Sequence, residues 1–375
     1  MSGPLAGIRI IEVGHMLAGP YCGLLLADMG AEVIKIEPPE GDIGRKVSPH
    51  FIGPHNAYFA SLNRNKKSVV VDLASANGKR DLHDLAANSH ALITNLRPSA
   101  IKKLGLTYEG LKHCNSKLVC VALTGYGLHG PYSESPAYDY VIQALTGVMS
   151  LTGDPGAPPT KTGYSAVDNS AGIMAAMALL AKIVEGRGGQ VDVAMYDVML
   201  SQLNYLAGAS LNAGEVMERM ANSSHPYMVP AQIFATAEGW LTLFITHDKF
   251  WQVFCKEINR PEWITDPVYA TLESRRANRT QVLASISEVL QEFPASQWVK
   301  RLAPLGVVAA EVGTMADALE SGQAKARGMI VPLGDGRQSL RAVGSAVKFD
   351  GFEPAYGMPP LLDEHRDLVL GKATA

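Results

Sequence analysis

A carboxylate at the start of a long apolar run is the strongest candidate for chemistry in this sequence. Asp168 follows the turn-rich stretch 161–167 and precedes a run of Ala, Met, Leu and Ile that extends to about Val184. At the N-terminus of a helix, free backbone N–H groups and the positive end of the helix dipole favour an ionised carboxylate, as a nucleophile requires. Taken alone, the segment favours a helix N-cap, for which aspartate is a common residue.

A glycine-containing loop near the start of the chain is a second candidate. Residues 12–20 read Glu-Val-Gly-His-Met-Leu-Ala-Gly-Pro, which is typical of a ligand loop at the end of a strand. The glycines do not form the GxGxxG pattern, so Glu37 as a ribose-binding acid gives only weak support for a nicotinamide site. A plain connection, in which Gly and Pro start a helix, explains the loop as well.

Basic residues cluster in two places. Lys66 and Lys67 precede a predicted strand, and Arg97, Lys102 and Lys103 lie in or just after an Asn-Leu-Arg-Pro sequence. Such groups could hold the phosphates of a ligand. Taken singly, each is better explained as a solvated surface charge.

Composition excludes several classes of function. The chain has 375 residues, enough for about two or three domains, and its hydrophobic fraction of 47% supports a filled core. With a net charge of −3, it has no basic excess to bind nucleic acid or an anionic membrane. The ten histidines lack HxxxH spacing and the four cysteines form no CxxC pair, so no metal site is predicted. Reduced thiols and an N-terminus unlike a signal peptide predict a cytoplasmic protein.

The elements that must position these groups alternate in the first half of the chain. Short apolar strands alternate with helices, which is the βαβ pattern of a parallel sheet and predicts an α/β fold. The predicted strands are Ile8–Val13, Glu32–Ile36, Val69–Asp72, Ala91–Thr94, Leu118–Leu123 and Gln190–Ala194. The predicted helices include Tyr21–Met29, Asn77–Ala87, Tyr108–Lys112, Asp139–Met149, the helix opened by Asp168, and Asp197–Asn212.

From about Ser223 the pattern changes. A hairpin is predicted from Val229–Thr236 and Trp240–Ile245, with the turn between them. Helices follow near Lys249–Ile258, Arg276–Glu292 and Ser296–Leu302. This stretch is a candidate second domain of about 85 residues.

In combination, these segments resemble the class III CoA-transferases, the family that includes formyl-CoA, carnitine and bile-acid CoA-transferases, with 2-methylacyl-CoA racemase as a sister branch. The matching segments run in family order and cover nearly the whole chain. They are Ala18–Pro20, Leu26–Glu37, Asn65–Ser68, Asp72–Leu73, Asn95–Pro98, Leu104–Gly105, Gly125–Gly127, Tyr138–Asp139, Asp168 with Gly172, and Glu364–His365. Each segment is short, and their combination is specific.

The resemblance implies a Rossmann-like large domain built from both chain ends and a smaller α+β middle domain. The large domain would take residues 1–212 and 309–375, and the small domain residues 223–308. Two chains would form a homodimer of interlinked rings. The implied substrates are acyl-CoA and small carboxylic acids, with no tightly bound cofactor.

The resemblance also implies site residues. Asp168 takes the place of the catalytic aspartate, and Tyr138 with Asp139 that of a supporting Tyr–acid pair. The residues at CoA-contacting positions are His15, Met16, Ala18, Val71, Asn95, Arg97, Lys103 and Leu104.

Four positions depart from the family pattern. Pro38 stands where some members have a CoA-binding arginine, and Ala74 and Pro136 stand where formyl-CoA transferase has lysines. Leu17 replaces a glutamine of that enzyme beside the acyl group. Specificity for formyl and oxalyl groups is therefore not expected.

The implied reaction is CoA transfer through an aspartyl anhydride and an aspartyl-CoA thioester on Asp168. Backbone N–H groups near Asp168 and in the Gly125–Gly130 loop could stabilise the oxyanions. Dicarboxylates such as succinate are common substrates in the family, and Arg64 or His15 could bind their distal carboxylate.

Two alternatives stay open. A racemase would use a His–Asp pair where this chain has Tyr138 and Asp139. A non-catalytic subunit of a heteromeric transferase would be expected to lack the aspartate that is present here as Asp168.

Overall fold

The computed structural model describes residues 3–334 and 340–371, and the chain divides into two compact units. The first unit comprises Met1–Thr146, Thr162–Asn212 and Ser321–Ala375. The second comprises Gly147–Lys161 and Ala213–Glu320. The second unit extends beyond the predicted segment 223–308 at both ends and takes in a separate piece of chain before Asp168.

The bounds of the helices and strands are as follows. The strands are β1 (Arg9–Val13), β2 (Glu32–Glu37), β3 (Phe51–Ile52), β4 (His55–Asn56), β5 (Lys66–Val70), β6 (Ala91–Thr94), β7 (Val119–Thr124), β8 (Gly189–Ala194), β9 (Ala231–Ala235), β10 (Trp240–Phe244), β11 (Val308–Glu311), β12 (Ile330–Pro332) and β13 (Arg341–Val343). The helices of the first half are α1 (Ala18–Asp28), α2 (Gly44–Val47), α3 (Ala57–Asn63), α4 (Ala76–Ala87), α5 (Pro98–Lys103), α6 (Tyr108–Leu111), α7 (Asp139–Leu145), α8 (Val148–Leu151) and α9 (Ala166–Glu185). Those of the second half are α10 (Met195–Gln202), α11 (Asn204–Ala213), α12 (Asp248–Glu257), α13 (Leu272–Ala277), α14 (Arg279–Leu290), α15 (Ala295–Leu302), α16 (Met315–Glu320), α17 (Gly322–Ala326) and α18 (Arg366–Leu370).

A six-stranded parallel sheet forms the centre of the first unit. Its strand order is β5-β2-β1-β6-β7-β8, and all neighbouring pairs are parallel. Numbered along the chain, these strands stand in the order 3-2-1-4-5-6 of a Rossmann-type doubly wound sheet. Strands β6 and β7 are buried along their whole length, as expected for a sheet covered on both faces. The predicted mixed α/β fold with a parallel sheet is confirmed.

The order of the sheet reverses between β1 and β6, because the strands that follow each of them lie on opposite sides. At such a switch point the loops leave the sheet in opposite directions and open a crevice at the carboxyl ends of the strands. Val13 of β1 lies beside Thr94 of β6. The loop 14–17 and Asn95 therefore begin side by side at the place where ligands bind in this kind of fold.

Helix α9 is long and apolar enough, by length and composition alone, to cross a membrane. No other helix within residues 3–334 and 340–371 meets that criterion. Its Gly172 packs closely on α1, since a Cβ there would lie 2.9 Å from the carbonyl oxygen of Ala18 and 3.3 Å from the nitrogen of Cys22. This contact packs one face of α9 against α1.

The C-terminal segment returns to the edge of the parallel sheet in the first unit. The Val70 N–H donates to Asp363 Oδ1 at 2.7 Å, and the His365 N–H donates to the Ser68 carbonyl oxygen at 3.0 Å. These bonds occupy backbone groups of β5, whose outer edge would otherwise be open to pairing.

The second unit has its own core. Strands β9, β10 and β11 form an antiparallel sheet, and α12, α14 and α15 contribute to a cluster of buried residues that includes Trp251, Trp298 and Phe234. The first two strands are the hairpin that the sequence predicts, with shorter strands than expected.

Three predicted helices are wrong in their continuity. The helix predicted over Asp139–Met149 ends at Leu145, because Gly147 adopts φ +83° before α8 begins. The helix predicted over Asp197–Asn212 divides into α10 and α11 at Asn204, whose φ is +26°. The helix predicted over Arg276–Glu292 divides into α13 and α14 around Asn278, and apolar periodicity alone does not reveal such breaks.

Candidate active site

A cavity of about 380 Å³ lies at the carboxyl ends of the central strands of the first unit. It brings together eight of the predicted site residues: His15, Met16, Ala18, Asn95, Arg97, Tyr138, Asp139 and Asp168. It is also lined by residues that sequence reasoning missed, among them Tyr58, Ser165 and Met195. Segments remote in the chain therefore converge on one site.

Asp168 is the third residue of α9, and Ser165 precedes the helix as its N-cap residue. The N-cap interpretation of Asp168 is therefore wrong. Two nearby N–H groups are engaged elsewhere, since the Val167 N–H donates to Asp139 Oδ1 at 2.8 Å and the Asn169 N–H to the Ser165 carbonyl oxygen at 3.1 Å.

The protonation of Asp168 differs from the sequence prediction. Burial, together with the nearby carboxylate of Asp139, raises the pKa of Asp168 to about 7. Removing a carboxylate from water favours its neutral form, and a second negative charge adds to that effect. The expectation that the helix N-terminus keeps Asp168 firmly ionised is therefore wrong, because burial and the Asp139 carboxylate favour its neutral form.

Asp139 is buried and connects α7 to the start of α9. Its carboxylate accepts hydrogen bonds from Gln143 Nε2 at 2.6 Å and from the Val167 N–H at 2.8 Å. Gln143 Oε1 in turn accepts the Thr162 N–H at 2.9 Å. The preceding Tyr138 is 65% exposed and lines the cavity. Asp139 therefore orders the backbone that carries Asp168.

The loop 14–17 is held by side chains beneath it. Asn95 Oδ1 accepts the His15 N–H at 3.0 Å and Asn95 Nδ2 donates to the His15 carbonyl oxygen at 2.9 Å. The Met16 N–H donates to Asp42 Oδ1 at 3.3 Å, and Met16 has a φ of +62°. A side chain on Gly14 would place its Cβ 2.4 Å from Asn95 Oδ1. Asn95 and Asp42 thus fix an unusual backbone conformation, and Asp42 was not singled out from the sequence.

A buried ion network lies under this loop. Lys35 Nζ is 2.9 Å from Glu12 Oε1, 2.8 Å from Asp42 Oδ2 and 3.0 Å from the Gly14 carbonyl oxygen. Lys66 Nζ is 2.7 Å from Glu12 Oε2. Burial alone would raise the pKa of Glu12, but the two ammonium groups hold it below its ordinary value. The interpretation of Lys66 as a surface charge is wrong, because this residue neutralises an acid inside the sheet.

Glu37 and Arg64 are engaged in ion pairs as well. Glu37 is buried, with Oε1 2.6 Å from Arg45 Nη2 and accepting the Ser68 hydroxyl at 2.6 Å. Arg64 is buried with its guanidinium 2.5 Å from Asp28 Oδ2. Neither residue lines the cavity, so Glu37 does not serve as a ribose-binding acid and Arg64 does not bind a distal carboxylate there.

A second cavity of about 600 Å³ adjoins the first, and His15 and Leu96 line both. The predicted CoA-contacting residues Val71 and Leu104 line the second cavity. Lys103 is exposed at the end of α5 and lines neither of the two. The cationic side chain in the second cavity is instead Lys46.

Tyr58 is a residue of the first cavity that the sequence did not indicate. Burial, with the negative charges of Asp168 and Asp42, raises the pKa of Tyr58 to about 12. Its hydroxyl therefore stays protonated at neutral pH and is available as a hydrogen-bond donor in the cavity that Asp168 also lines. Tyr58 lies on the short helix α3. No sequence motif indicated it as a site residue.

The glycine loop after β7 offers fewer free N–H groups for oxyanion stabilisation than expected. The Gly127 N–H donates to Thr124 Oγ1 and the Leu128 N–H to Asp192 Oδ2, both at 2.9 Å. These two groups are therefore engaged within the first unit. Gly125 lines the cavity, and only glycine fits there because a Cβ would lie 2.1 Å from the Cβ of Ala137.

Comparison with known proteins places this site in context. The family model described as CoA-transferase family III matches residues 5–366. The chain is 32% identical over 370 residues to the acetyl-CoA:oxalate CoA-transferase of Acetobacter aceti, covering 96% of this chain and 94% of that protein. It is 32% identical over 385 residues to the succinate–glutarate CoA-transferase of Agrobacterium fabrum, covering 98% and 95%. The crystal structure of a CaiB/BaiF family protein from Brucella suis matches with a TM-score of 0.86 at 31% identity, covering 98% of this chain and 99% of that one.

Proposed function

The chain belongs to CoA-transferase family III, and from that premise we propose that it moves CoA between carboxylic acids through covalent intermediates on Asp168. The family resemblance predicted from the sequence is confirmed, as is the prediction of an enzyme that transfers CoA. The nucleophile, the intermediates and the choice of acids form the proposal.

Each half-reaction forms one bond for each bond it breaks. The Asp168 carboxylate attacks the thioester carbonyl of the donor, giving an aspartyl–acyl anhydride and releasing the CoA thiolate. The thiolate attacks the aspartyl carbonyl, which releases the donor acid and leaves an aspartyl-CoA thioester. The acceptor carboxylate then attacks this thioester, and the released thiolate attacks the acceptor carbonyl of the new anhydride, giving the new acyl-CoA and free Asp168.

The observation that carries the proposal is the setting of Asp168. Its carboxyl lines the cavity at the switch point, and among the residues that the structure describes no Lys or Arg forms an ion pair with it. A carboxylate with a pKa near 7 is less stabilised by its surroundings than an ordinary one and is therefore a stronger nucleophile when ionised. The hydroxyl of Tyr58 could donate to the oxyanion that each attack creates.

The two adjoining cavities suit the two ends of an acyl-CoA. We place the thioester beside Asp168 in the first cavity and the rest of CoA in the second, past His15 and Leu96. Val71 and Leu104 would contact the apolar parts of CoA, and Lys46 is placed to meet a phosphate. Arg97, exposed at the mouth of the first cavity, is a second phosphate candidate.

The acids are proposed to be small dicarboxylates such as succinate. The Agrobacterium relative is named for succinate and glutarate, and the Acetobacter relative for oxalate. In this chain Arg64 cannot meet a distal carboxylate, so His15 is the remaining candidate of the two that the sequence suggested. Burial lowers the pKa of His15, which leaves its neutral imidazole as a hydrogen-bond donor rather than a fixed cation.

Chemical trapping tests the covalent step directly. The protein is incubated with succinyl-CoA without an acceptor, quenched with hydroxylamine, digested and analysed by mass spectrometry. We expect a hydroxamate at Asp168 and none in Asp168→Asn. Asp197→Asn is the matched control, because Asp197 is also a first-turn helix aspartate but does not line the cavity. A hydroxamate on another residue, or turnover without any trapped carboxyl, would contradict the proposal.

We also propose a homodimer. Helices α9, α10 and α11 leave large apolar side chains exposed, including Ile173, Met177, Tyr205 and Leu211. Large exposed apolar side chains on neighbouring segments of the chain support an association surface. Light scattering should report a dimer, and a stable 40.1 kDa species would contradict the proposal. A cytoplasmic location and the lack of a tightly bound cofactor stay predictions.

A further inference from the structure

Three soft or borderline ligand groups meet away from the two cavities. His83, His113 and Cys114 place one potential donor atom each within 4.8 Å of one another. Cys114 Sγ lies 3.2 Å from His113 Nε2, and the rings of His83 and His113 meet edge to face with centroids 4.9 Å apart. No residue of this cluster lines either cavity.

The backbone around the cluster is held by the core. His83 lies on α4 next to the buried Leu82, while His113 and Cys114 follow the buried Leu111 at the end of α6. Leu82 and Leu111 pack in the same apolar cluster, to which Cys114 also contributes. The fold therefore fixes two elements so that their ligand groups face one another.

A second connection fixes the turn that carries two of the ligands. Asn115 Nδ2 donates to the Ser89 carbonyl oxygen at 2.9 Å, just beyond the end of α4. The Cys114 N–H donates to the Leu111 carbonyl oxygen at 2.9 Å. Binding a ligand here would order little additional backbone, so little conformational entropy would oppose it.

We propose that His83, His113 and Cys114 form a binding site for a borderline transition metal ion of the Zn²⁺ type. Thiolate sulfur and imidazole nitrogen are ligand atoms that such ions prefer. In a tetrahedral site with Zn–S near 2.3 Å and Zn–N near 2.0 Å, sulfur and nitrogen are about 3.5 Å apart. The observed 3.2 Å contact is close to that value, and all three donor atoms lie within 4.8 Å of one another. A water molecule would complete the fourth position.

The bound ion would not take part in the reaction proposed at Asp168, because the site lies outside both cavities. A bound ion would join α4 to the chain that leads into β7, and would stabilise the folded state because the unfolded chain does not present the ligands together. Histidine and cysteine spacing did not indicate this site, since the ligands come from separate elements of the chain.

Cobalt spectroscopy on the full-length chain without an affinity tag tests the site. Chelator-treated protein is titrated with Co²⁺, followed by displacement with Zn²⁺. We expect a thiolate-to-cobalt absorption band that is lost in Cys114→Ser, and a dissociation constant at least about tenfold higher in His83→Ala. Cys22, Cys120 and Cys255 are buried and should not supply the thiolate.

A matched control and a stability measurement complete the test. His129→Ala removes an exposed histidine outside the cluster and should leave binding unchanged. Zn²⁺ should raise the thermal midpoint of the wild type and not that of Cys114→Ser. Absence of the band in the wild type, or equal Co²⁺ affinity in Cys114→Ser, would overturn the proposal.

Discussion

Two groups of buried carboxyls in the first unit meet opposite electrostatic surroundings. Under the loop 14–17, Glu12, Asp42 and Glu37 face Lys35, Lys66 and Arg45 at 2.6–2.9 Å, and the pKa of each acid lies below its ordinary value. At the start of α9, Asp168 faces another carboxyl, Asp139, and burial raises its pKa to about 7.

This difference distinguishes buried acids that stabilise the fold from a buried acid that is proposed to react. A buried acid whose charge is matched by cations stays ionised. Its lone pairs are engaged by those cations, so it contributes to the fold. A buried acid without a cation destabilises the folded state, and such groups are concentrated at functional sites. The network under the loop therefore positions the site, while Asp168 is the group that we propose reacts.

The largest expected effect is the loss of activity in Asp168→Asn. The amide has no carboxylate to attack the thioester, so we expect kcat to fall on the order of 10⁴-fold. Steady-state transfer from succinyl-CoA to a panel of carboxylic acids measures it, with Asp197→Asn as the control. Activity above a few per cent of the wild type, without deamidation back to aspartate, would place Asp168 among the architectural acids.

Removing a cation from the buried ion network should affect stability instead of the proposed reaction. Lys35→Met leaves Glu12 and Asp42 buried with one cation fewer, and we expect the free energy of unfolding to fall by about 3–5 kcal/mol. Lys67→Met is the matched control, because Lys67 pairs with the partly exposed Glu32 and should cost less than about 1 kcal/mol. Denaturant unfolding of both variants measures the difference. Equal effects would show that the buried network does not hold the fold.

The raised pKa of Asp168 predicts a pH dependence. The proposed nucleophile must be ionised, so kcat/KM should fall about tenfold per pH unit as the pH drops below about 7. Asp139→Asn removes the neighbouring negative charge and should move this acidic limb to lower pH. Profiles of kcat/KM for both proteins test the coupling. An unchanged limb in Asp139→Asn would mean that the two carboxyls do not interact.

A smaller effect is a gain in stability from Asp168→Asn. The folded-state pKa of about 7 lies above the ordinary value of 3.8, so between these pH values the folded protein holds more protons than the unfolded chain. Its free energy of unfolding therefore falls as the pH rises through this range. Removing the charge should stabilise the protein by about 1 kcal/mol at pH 8, after allowance for partial solvent access, and not at pH 4. Unfolding curves at both pH values measure it, and no gain at pH 8 would contradict the raised pKa.

The paired group shows what sequence patterns miss. The alternation of apolar strands and helices was sufficient to predict the parallel sheet, and short family segments predicted Asp168, Tyr138 and Asp139 as site residues, which line one cavity. Periodicity carries no information on how buried charges pair across strands, so Lys66 was interpreted as a surface charge and Asp42 was not noticed. Both residues acquire their roles only when β1, β2 and β5 lie side by side.

The protonation state of Asp168 was the other property that the sequence did not predict. The first-turn position of Asp168 indicated an ionised carboxylate, because helix N-termini stabilise negative charge. The structure shows that the nearby N–H groups bond to Asp139 and to backbone oxygens. Burial depends on segments that are distant in the chain, including the one that carries Tyr58, and no local pattern reports it.

The smallest expected effect is an absence of exchange of the proton next to the thioester carbonyl. This measurement distinguishes a nucleophilic role for Asp168 from the role of a general base. An acid with a pKa near 7 can serve as a general base as well as a nucleophile, and a racemase would need such a base within hydrogen-bond reach of the proton next to the thioester carbonyl. Tyr138 is a phenol where a racemase would carry a histidine, and His15 belongs to the loop that we propose meets CoA. We therefore expect that a 2-methylacyl-CoA incubated with the enzyme in D₂O takes up no deuterium at the α-carbon while CoA moves between acids.

Mass spectrometry of the recovered thioester measures uptake, and His15→Ala shows whether any residual exchange depends on that side chain. Deuterium uptake at the rate of turnover, without CoA transfer to any acid tested, would assign Asp168 the role of a base and move this chain to the racemase branch.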